Sequence, residues 1–455
     1  PKLEIEGGAG VRPHKNSINN YYYPENPEAG IDLFLEKLVQ ETEKEHEDIL
    51  EQADETDAMF GELYSWYLRN PEYRSRVQKL VQSAFAGKPK DIISQSVAKA
   101  LYGEVSPYSA TRLERFAACA FAHFLQYGMK LTERVEYEFK PMDMGNVMHE
   151  ALESFAEEVR KRGMKWTELT EQERNEIADR CLDNIVADYG NTVLKSSARN
   201  EYMIERTRRI LRRTVWALQK QLEQGEFQPE GFEVTFGGGR IDRVDIMEDQ
   251  NKVYVKVIDY KTGNTSFDLV YLYHGLQLQL MIYLDGALRV EQKKYPDKEI
   301  IPAGVFYYNI KDPMIQEKID ADVEAVSAGL MKELKMNGLV QADPELVYRM
   351  DSSLGSIPVA FNKDGSFRKN SSVADRTQFA VLGRYVRTKI EKIRSSILEG
   401  DAEVSPYELG KKNACTYCPY MTVCGFDRRL SGYEFRRLKN FSDEELWKAF
   451  DREAE

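Results

Sequence analysis

The stretch GGGRIDRVDIMEDQNKVYVKVIDYKTG holds two aspartates and a lysine whose spacing could do chemistry. Two strand-like runs, about 239–247 and 253–261, flank the polar turn MEDQNK. A hairpin symmetric about Gln250 and Asn251 places Asp242 opposite Asp259, equally far from the turn. Directly opposed residues share a face, with Cβ atoms about 5 Å apart. Like charges there are destabilising unless a cation sits between them. Lys261, two residues beyond Asp259, projects from the same face. Two carboxylates and an ammonium on one surface suit metal-dependent phosphodiester hydrolysis. The carboxylates would hold Mg²⁺ as hard oxygen ligands, and the lysine would orient water or stabilise charge on the phosphate. A one-residue slip of register would send one carboxylate to the far face.

A second constellation lies near the C-terminus, in KKNACTYCPYMTVCGFDRR. Cys415, Cys418 and Cys424 follow the pattern C-x2-C-x5-C, one ligand short of a closed thiolate site. Cys119 and Cys181 are the remaining cysteines. Cys181 falls at helical spacing with Ile177 and Ile185 and reads as a buried core thiol. Cys119 lies among Phe116, Phe121 and Phe124 and is the expected fourth ligand. One distant and three close cysteines suit an iron–sulfur cluster, expected as 4Fe-4S. A zinc site completed by a histidine such as His123 is the alternative. Joining Cys119 to Cys415 would close a long loop, so the expected role is a staple rather than electron transfer.

The elements that must position these groups follow from periodicity. Residues 31–100 read as amphipathic helices, and residues 1–25 as loop. Pro107 is expected to open one helix over SATRLERFAACAFAHFLQYG, stopped by Gly128. Another helix is expected after Gly145 through VMHEALESFAEEVRKRG, with further helices over 167–224. Between about 231 and 310 the period becomes strand-like around a helix at LQLQLMIYLDGAL. NKDG at 362–365 predicts a hairpin turn, residues 374–399 a helix, and residues 443–452 a short terminal helix.

The chain's 455 residues suffice for more than one core, and 42% hydrophobic with 30% charged residues fits a globular protein. Five cysteines, mostly clustered, are not a disulfide framework, which implies a reducing, cytoplasmic setting. No apolar run approaches a membrane span, and no GxxxxGK[ST] phosphate loop is present. A net charge of −12 argues against a general nucleic-acid coat but permits a local basic groove. The first residue is Pro1 rather than Met, which is expected of a piece of a longer protein.

GRIDRVD followed by IDYKTG resembles the nuclease core of the PD-(D/E)XK superfamily, in the branch typified by the RecB nuclease domain. Gly145 to His149 in GNVMHEAL resembles that branch's upstream Gly-x-x-x-His helix, and Gln279 with Tyr283 in QLMIY its downstream Gln-x-x-x-Tyr. One cysteine before the core and three after it are similar to the iron-stapled members, which include AddB-type subunits of helicase–nuclease complexes and Cas4-like nucleases. SPYSATRLERFAACAFAHF, ACTYCPYMTVC and GVFYYNI look most like the C-terminal part of AddB-type subunits. CAF at 119–121 stands where that family often has Cys-Pro-Phe.

The resemblance implies an α/β fold: a restriction-endonuclease-like core with a mixed central sheet, in a largely helical surround, stapled by a four-cysteine iron–sulfur site. It implies a helicase-like remnant over 1–100, the stapled nuclease domain over 101–430 with its core at about 140–310, and a tail over 431–455. His149, Asp242 and Asp259 would be metal ligands, Lys261 the catalytic lysine, and Gln279 and Tyr283 supports beside the scissile phosphate. Glu233 is a further candidate carboxylate. The implied activity is Mg²⁺-dependent DNA cleavage, with Mn²⁺ as a substitute, of a 5′-ended single strand during double-strand-break repair. The implied partners are DNA and an AddA-type subunit, and the setting bacterial, nucleoid-associated and not membrane-bound. A free-standing Cas4-like nuclease, a non-catalytic DNA-binding scaffold and an electron-transfer protein are the competing readings. ERTRRILRRTVW at 205–216 reads either as a solvated helix face or as a wall tracking phosphates, and FDRRLSGYEFRRLKN likewise.

Overall fold

The computed structural model describes residues 27–43, 55–84, 92–103, 109–132, 141–188, 197–237, 239–315, 322–430 and 432–454. The expected loop over 1–25 and Pro107 lie outside them. The chain forms two compact units, one of Pro1–Asp91 with Met421–Phe435 and one of Ile92–Tyr420 with Arg436–Glu455.

In the first unit, helices α1 (Pro27–Glu43), α2 (Glu55–Arg69) and α3 (Pro71–Ala84) bury Ile31, Phe34, Leu38, Tyr67 and Val77 together. Phe34 stacks on Phe60 with ring centroids 4.7 Å apart, and the Tyr67 hydroxyl donates to the Pro27 carbonyl at 2.6 Å.

The second unit opens with α4 (Gln95–Tyr102), α5 (Ala110–Ala118) and α6 (Ala120–His123). The single helix expected over 109–128 is broken. Cys119 takes an extended conformation (φ −166°, ψ 118°), and the amide of Phe121 donates to the Glu403 carbonyl instead of to its own helix. Phe124–Gly128 then continue as one π-helical turn. Next come α7 (Pro141–Lys161), α8 (Glu171–Asp188) and α9 (Ala198–Glu223). α7 starts at Pro141, ahead of the Gly145 start expected from the sequence, because proline suits a first helical position.

Strands β1 (Gln228–Phe236), β2 (Gly239–Asp249) and β3 (Lys252–Lys261) precede α10 (Leu269–Tyr273) and α11 (Gln279–Lys294). β4 (Glu299–Asn309), α12 (Val323–Glu333), β5 (Asn337–Gln341), α13 (Pro344–Met350), β6 (Val373–Ala374) and α14 (Arg376–Glu399) follow. The end of the chain carries β7 (Tyr407–Leu409), β8 (Lys412–Asn413), α15 (Met421–Cys424, in the first unit), β9 (Arg436–Arg437) and α16 (Asp443–Ala454). The turn expected at NKDG forms, with Phe361 bridging Phe367 and Gly365 at φ +83°.

β1 to β6 make one mixed sheet in chain order. The β1–β2, β2–β3 and β4–β5 pairs are antiparallel, and the β3–β4 and β5–β6 pairs parallel. Its two faces bury two cores. Tyr254, Ile258, Tyr260, Phe306 and Tyr308 pack with residues of α7, α8 and α9. Val253, Val255, Val257, Val305 and Tyr307 pack with residues of α5, α11, α14 and α16. Along β3 the residues alternate between the two cores, while in β4 the alternation changes phase at a bulge, so that Ile301 and Ala303 join Phe306 and Tyr308.

Candidate active site

Asp242 and Asp259 stand one step beyond the last paired residues of the β2–β3 hairpin, Arg243 and Ile258. This follows the register expected from a turn at Gln250 and Asn251, and Gln250 takes the positive φ (42°) that such a turn needs. Asp259 and Lys261 share the parity of Val255 and Val257, on the α5 and α11 side of the sheet, while Asp242, beyond the last pair, is met by His149 of α7. The other parity carries a different cluster. Arg243 Nε lies 2.6 Å from Asp245 Oδ1, and Lys256 Nζ lies 3.0 Å from Asp245 Oδ2, all three residues being buried. Trp166 and Phe232 flank the Arg243 guanidinium. The two aspartates of GRIDRVD thus divide: Asp245 is neutralised by two cations, and Asp242 faces the other carboxylate.

Asp242 Oδ2 accepts a hydrogen bond from the Tyr260 amide at 2.7 Å. Asp259 is 1% exposed; its burial and the charge of Asp242 push its carboxyl up to about 7, against the pull of Lys261. Lys261 Nζ lies 2.6 Å from Asp259 Oδ2, yet no donor is aligned on that oxygen for a hydrogen bond. The contact is a close ion pair that turns the carboxylate toward the ammonium. The ammonium donates instead to Gln279 Oε1 at 2.7 Å and lies 5.4 Å from the centre of the Tyr307 ring. Gln279 Nε2 donates in turn to the Tyr283 hydroxyl one helical turn on, at 2.9 Å.

His149 comes from the third turn of α7. Its Nδ1 lies 3.4 Å from Asp242 Oδ2 and 3.8 Å from Glu233 Oε1, and its Nε2 lies 3.1 Å from the Tyr260 carbonyl. Burial lowers its pKa, but hydrogen bonds to Asp242 and Glu233 and the surrounding negative charge outweigh that and push it up to about 10. The imidazolium can then donate from both nitrogens. Glu233 sits in the left-handed region (φ 49°) on β1, a conformation costing a non-glycine residue roughly 1 kcal/mol or more. Its other carboxylate oxygen pairs with Arg240. His149, Glu233 and Asp242 offer donor atoms within 4.8 Å of one another, the one such group of three or more among the described residues. Asp259 stands beside this group, turned toward Lys261.

Glu114 is a site residue that the sequence reading passed over. Its Oε1 accepts from the amides of Leu278 at 2.7 Å and Gln279 at 2.9 Å. The residue keeps a little exposed surface, but burial pushes its carboxyl up to about 7 despite those two hydrogen bonds. The available signal was an acid in the buried stripe of α5, one turn from Ala110 and adjacent to Leu113.

None of the five cysteines forms a disulfide. Cys119 and Cys418 share an apolar cluster with Ala122, Leu125 and Tyr420. Arg115 Nη2 lies 3.9 Å from Cys418 Sγ, and the Cys418 amide donates to the Cys415 carbonyl at 3.1 Å. Burial pushes the Cys119 thiol up. Cys424 belongs to the first unit, where its sulfur accepts from the Phe426 amide at 3.4 Å. Cys181 is buried in α8, as expected for a core thiol. His123 is buried and accepts from Arg112 Nε at 3.2 Å, and burial pushes its pKa down to about 3. In the α9 segment, Arg208 pairs with Asp183 at 2.7 Å, Arg209 with Asp312 at 2.6 Å and Arg212 with Asp179. Carboxylates hold these guanidiniums, which favours the solvated-face reading.

Residues 107–425 match the family model described as the PD-(D/E)XK nuclease superfamily. Among curated relatives, the chain is 41% identical over 425 residues to the B subunit of an ATP-dependent helicase/deoxyribonuclease from Lachnoclostridium phytofermentans, covering 88% of this chain and 36% of that protein. It is 34% identical over 425 residues to the like-named protein of a Thermoanaerobacter species (88% and 37%) and 33% over 423 residues to that of Clostridium acetobutylicum (88% and 36%). The chain spans little more than a third of the length of these relatives.

Proposed function

Because the chain belongs to the PD-(D/E)XK nuclease superfamily, we propose that it is the nuclease module of a helicase–nuclease, hydrolysing phosphodiester bonds in single-stranded DNA. The observation that carries this reading is that Asp242 and Asp259 stand close enough for the charge of one to raise the carboxyl of the other, with Lys261 against Asp259 and His149 brought to Asp242 from α7. The donor set, oxygen with one imidazole, suits Mg²⁺ or Mn²⁺. Asp242 and Asp259, with His149 and Glu233, are the residues proposed to hold the ion. The site fits such a cation on an observation of its own: His149, Glu233 and Asp242 offer donor atoms within 4.8 Å of one another, and the charge of Asp242 also acts on the buried Asp259. A divalent ion there would lower the pKa of water and neutralise charge on phosphate oxygens. Lys261, held by Gln279, would face the same phosphate as a fixed positive charge. The Tyr283 hydroxyl, bound to Gln279, fixes the amide's orientation.

The iron–sulfur staple is part of the same proposal, with Cys119, Cys415, Cys418 and Cys424 as ligands. Thiolates need compensating charge when buried. Arg115 beside Cys418 and Arg436 near Cys119 supply such charge, which supports a thiolate role for those two residues. The bound group would cross-link distant segments of chain. By the same reading the physiological partners are a second helicase–nuclease subunit and DNA, and the strand cut is the 5′-ended one. Among the described residues, no helix is long and apolar enough to cross a membrane.

The deciding experiment is Mg²⁺-dependent cleavage of end-labelled single-stranded DNA by the full chain, together with any co-purifying partner, compared with its Asp259→Ala variant. Cleavage lost in the variant supports the assignment, and the label reports polarity. Equal cleavage by both would show that the metal site is misassigned.

A further inference from the structure

The helix that ends at Cys119 also holds the start of the helix that carries Gln279. α5 runs Ala110–Ala118 with Cys119 at its C-terminal end, and Glu114 lies midway along it. Glu114 Oε1 accepts from Leu278 and Gln279, the N-cap and first residues of α11. A helix start leaves amides without intrahelical partners, and its dipole favours an anion there. Elsewhere in this chain a local side chain meets that need: Ser109 for α5, Asp268 for α10, Asp375 for α14. At α11 the N-cap is Leu278, whose side chain has no acceptor, and a glutamate 164 residues earlier substitutes.

The consequence reaches the reactive face directly. Gln279 uses its oxygen for Lys261 and its nitrogen for Tyr283, so the amide has one working orientation once its backbone is fixed. Lys261 in turn ion-pairs with Asp259. A continuous path of contacts thus runs from α5 through Glu114, Gln279 and Lys261 to a carboxylate.

We propose that Glu114 is a positioning residue for Lys261, fixing the first turn of α11 so that Gln279 presents its oxygen to the ammonium. Through it, the seating of α5 is transmitted to Lys261 and Asp259. This inference rests on the nuclease reading for its consequence in catalysis but not for its geometry.

The test compares the full chain, with any co-purifying partner, as wild type, Glu114→Gln, Glu114→Asp and Glu114→Ala. One readout is steady-state cleavage of end-labelled single-stranded DNA. The other is acetylation of Lys261 by a lysine reagent, followed by peptide mass spectrometry, which needs no turnover. Glu114→Ala is expected to lower kcat by about 10–100-fold at nearly constant KM, as loss of a supporting contact does, and to raise Lys261 labelling several-fold. Glu114→Gln keeps an acceptor oxygen and is expected to stay within about threefold of wild type on both readouts. Glu114→Asp, one methylene short, is expected to fall between them and carries the comparison if the alanine variant does not fold. Unchanged kcat and unchanged Lys261 labelling in a folded Ala or Asp variant overturns the proposal. Labelling that follows Glu114 in a wild type unable to cleave supports the positioning role and overturns the nuclease reading instead.

Discussion

His149 Nδ1 and Asp242 Oδ2 approach to 3.4 Å, so α7 and β2 meet through an imidazolium and a carboxylate. The proton that makes this contact attractive occupies a nitrogen that a metal would need.

Metal binding should therefore release protons. With the His149 pKa pushed up to about 10 and Asp259 up to about 7, the metal-free site carries at least about one proton at neutral pH. Titration calorimetry with Mn²⁺ in two buffers of different ionisation enthalpy should show apparent enthalpies that differ in proportion to that release. His149→Gln should reduce the difference. Buffer-independent enthalpy in the wild type would show that His149 is neutral or not a ligand.

The two aspartates of GRIDRVD should respond differently to removal. Asp245→Ala leaves the buried Arg243 and Lys256 without their shared anion and should cost about 3–5 kcal/mol of unfolding free energy in denaturant titration. Asp242→Ala relieves repulsion with Asp259 while removing the partner of the His149 imidazolium and the Tyr260 amide, and should cost less metal-free stability than Asp245→Ala while abolishing cleavage. A stable, folded Asp245→Ala protein would contradict the division of roles.

Glu114 should leave a signature in the pH dependence of stability. Its carboxyl is raised from 4.5 to about 7, so between those values the folded chain holds a proton that the unfolded chain has released. Stability from this group is thus present at low pH and declines as pH rises from about 4.5 to 7. Metal-free Glu114→Gln lacks that decline and should gain on the wild type across the window, by at most about 3 kcal/mol. Parallel curves for the two proteins would show that the carboxyl is not shifted.

Cys418→Ser should lose bound iron and melt earlier, because it removes a proposed ligand. Cys181→Ser, buried in α8 among Ile177 and Ile185, should keep its iron whatever it costs in packing. Iron content measured alongside thermal unfolding separates the two. Full iron in Cys418→Ser would remove the staple from the proposal.

The hairpin was legible because it is local. Turn symmetry sets the pairing of Asp242 with Asp259, and the two-residue period of a strand puts Lys261 beside them. Cys181 was legible for the same reason, from helical spacing alone. The break at Cys119 was not, since α5 and α6 both carry helical sequence and the interruption depends on the Glu403 carbonyl, 282 positions after Phe121. Glu233 was only partly legible, because its approach to His149 depends on a left-handed residue in an irregular strand.

By itself, then, the sequence determined the register of the hairpin that brings the two carboxylates to its end, and the histidine helix, set by periods of two and 3.6 residues. Only the tertiary structure decided that Asp245 meets two buried cations while Asp242 meets His149, that Glu233 joins His149, and that Glu114 holds the start of α11. Those relationships join residues up to 165 positions apart. Backbone periodicity fixes which way a side chain points, and only the packing of layers fixes what it meets there.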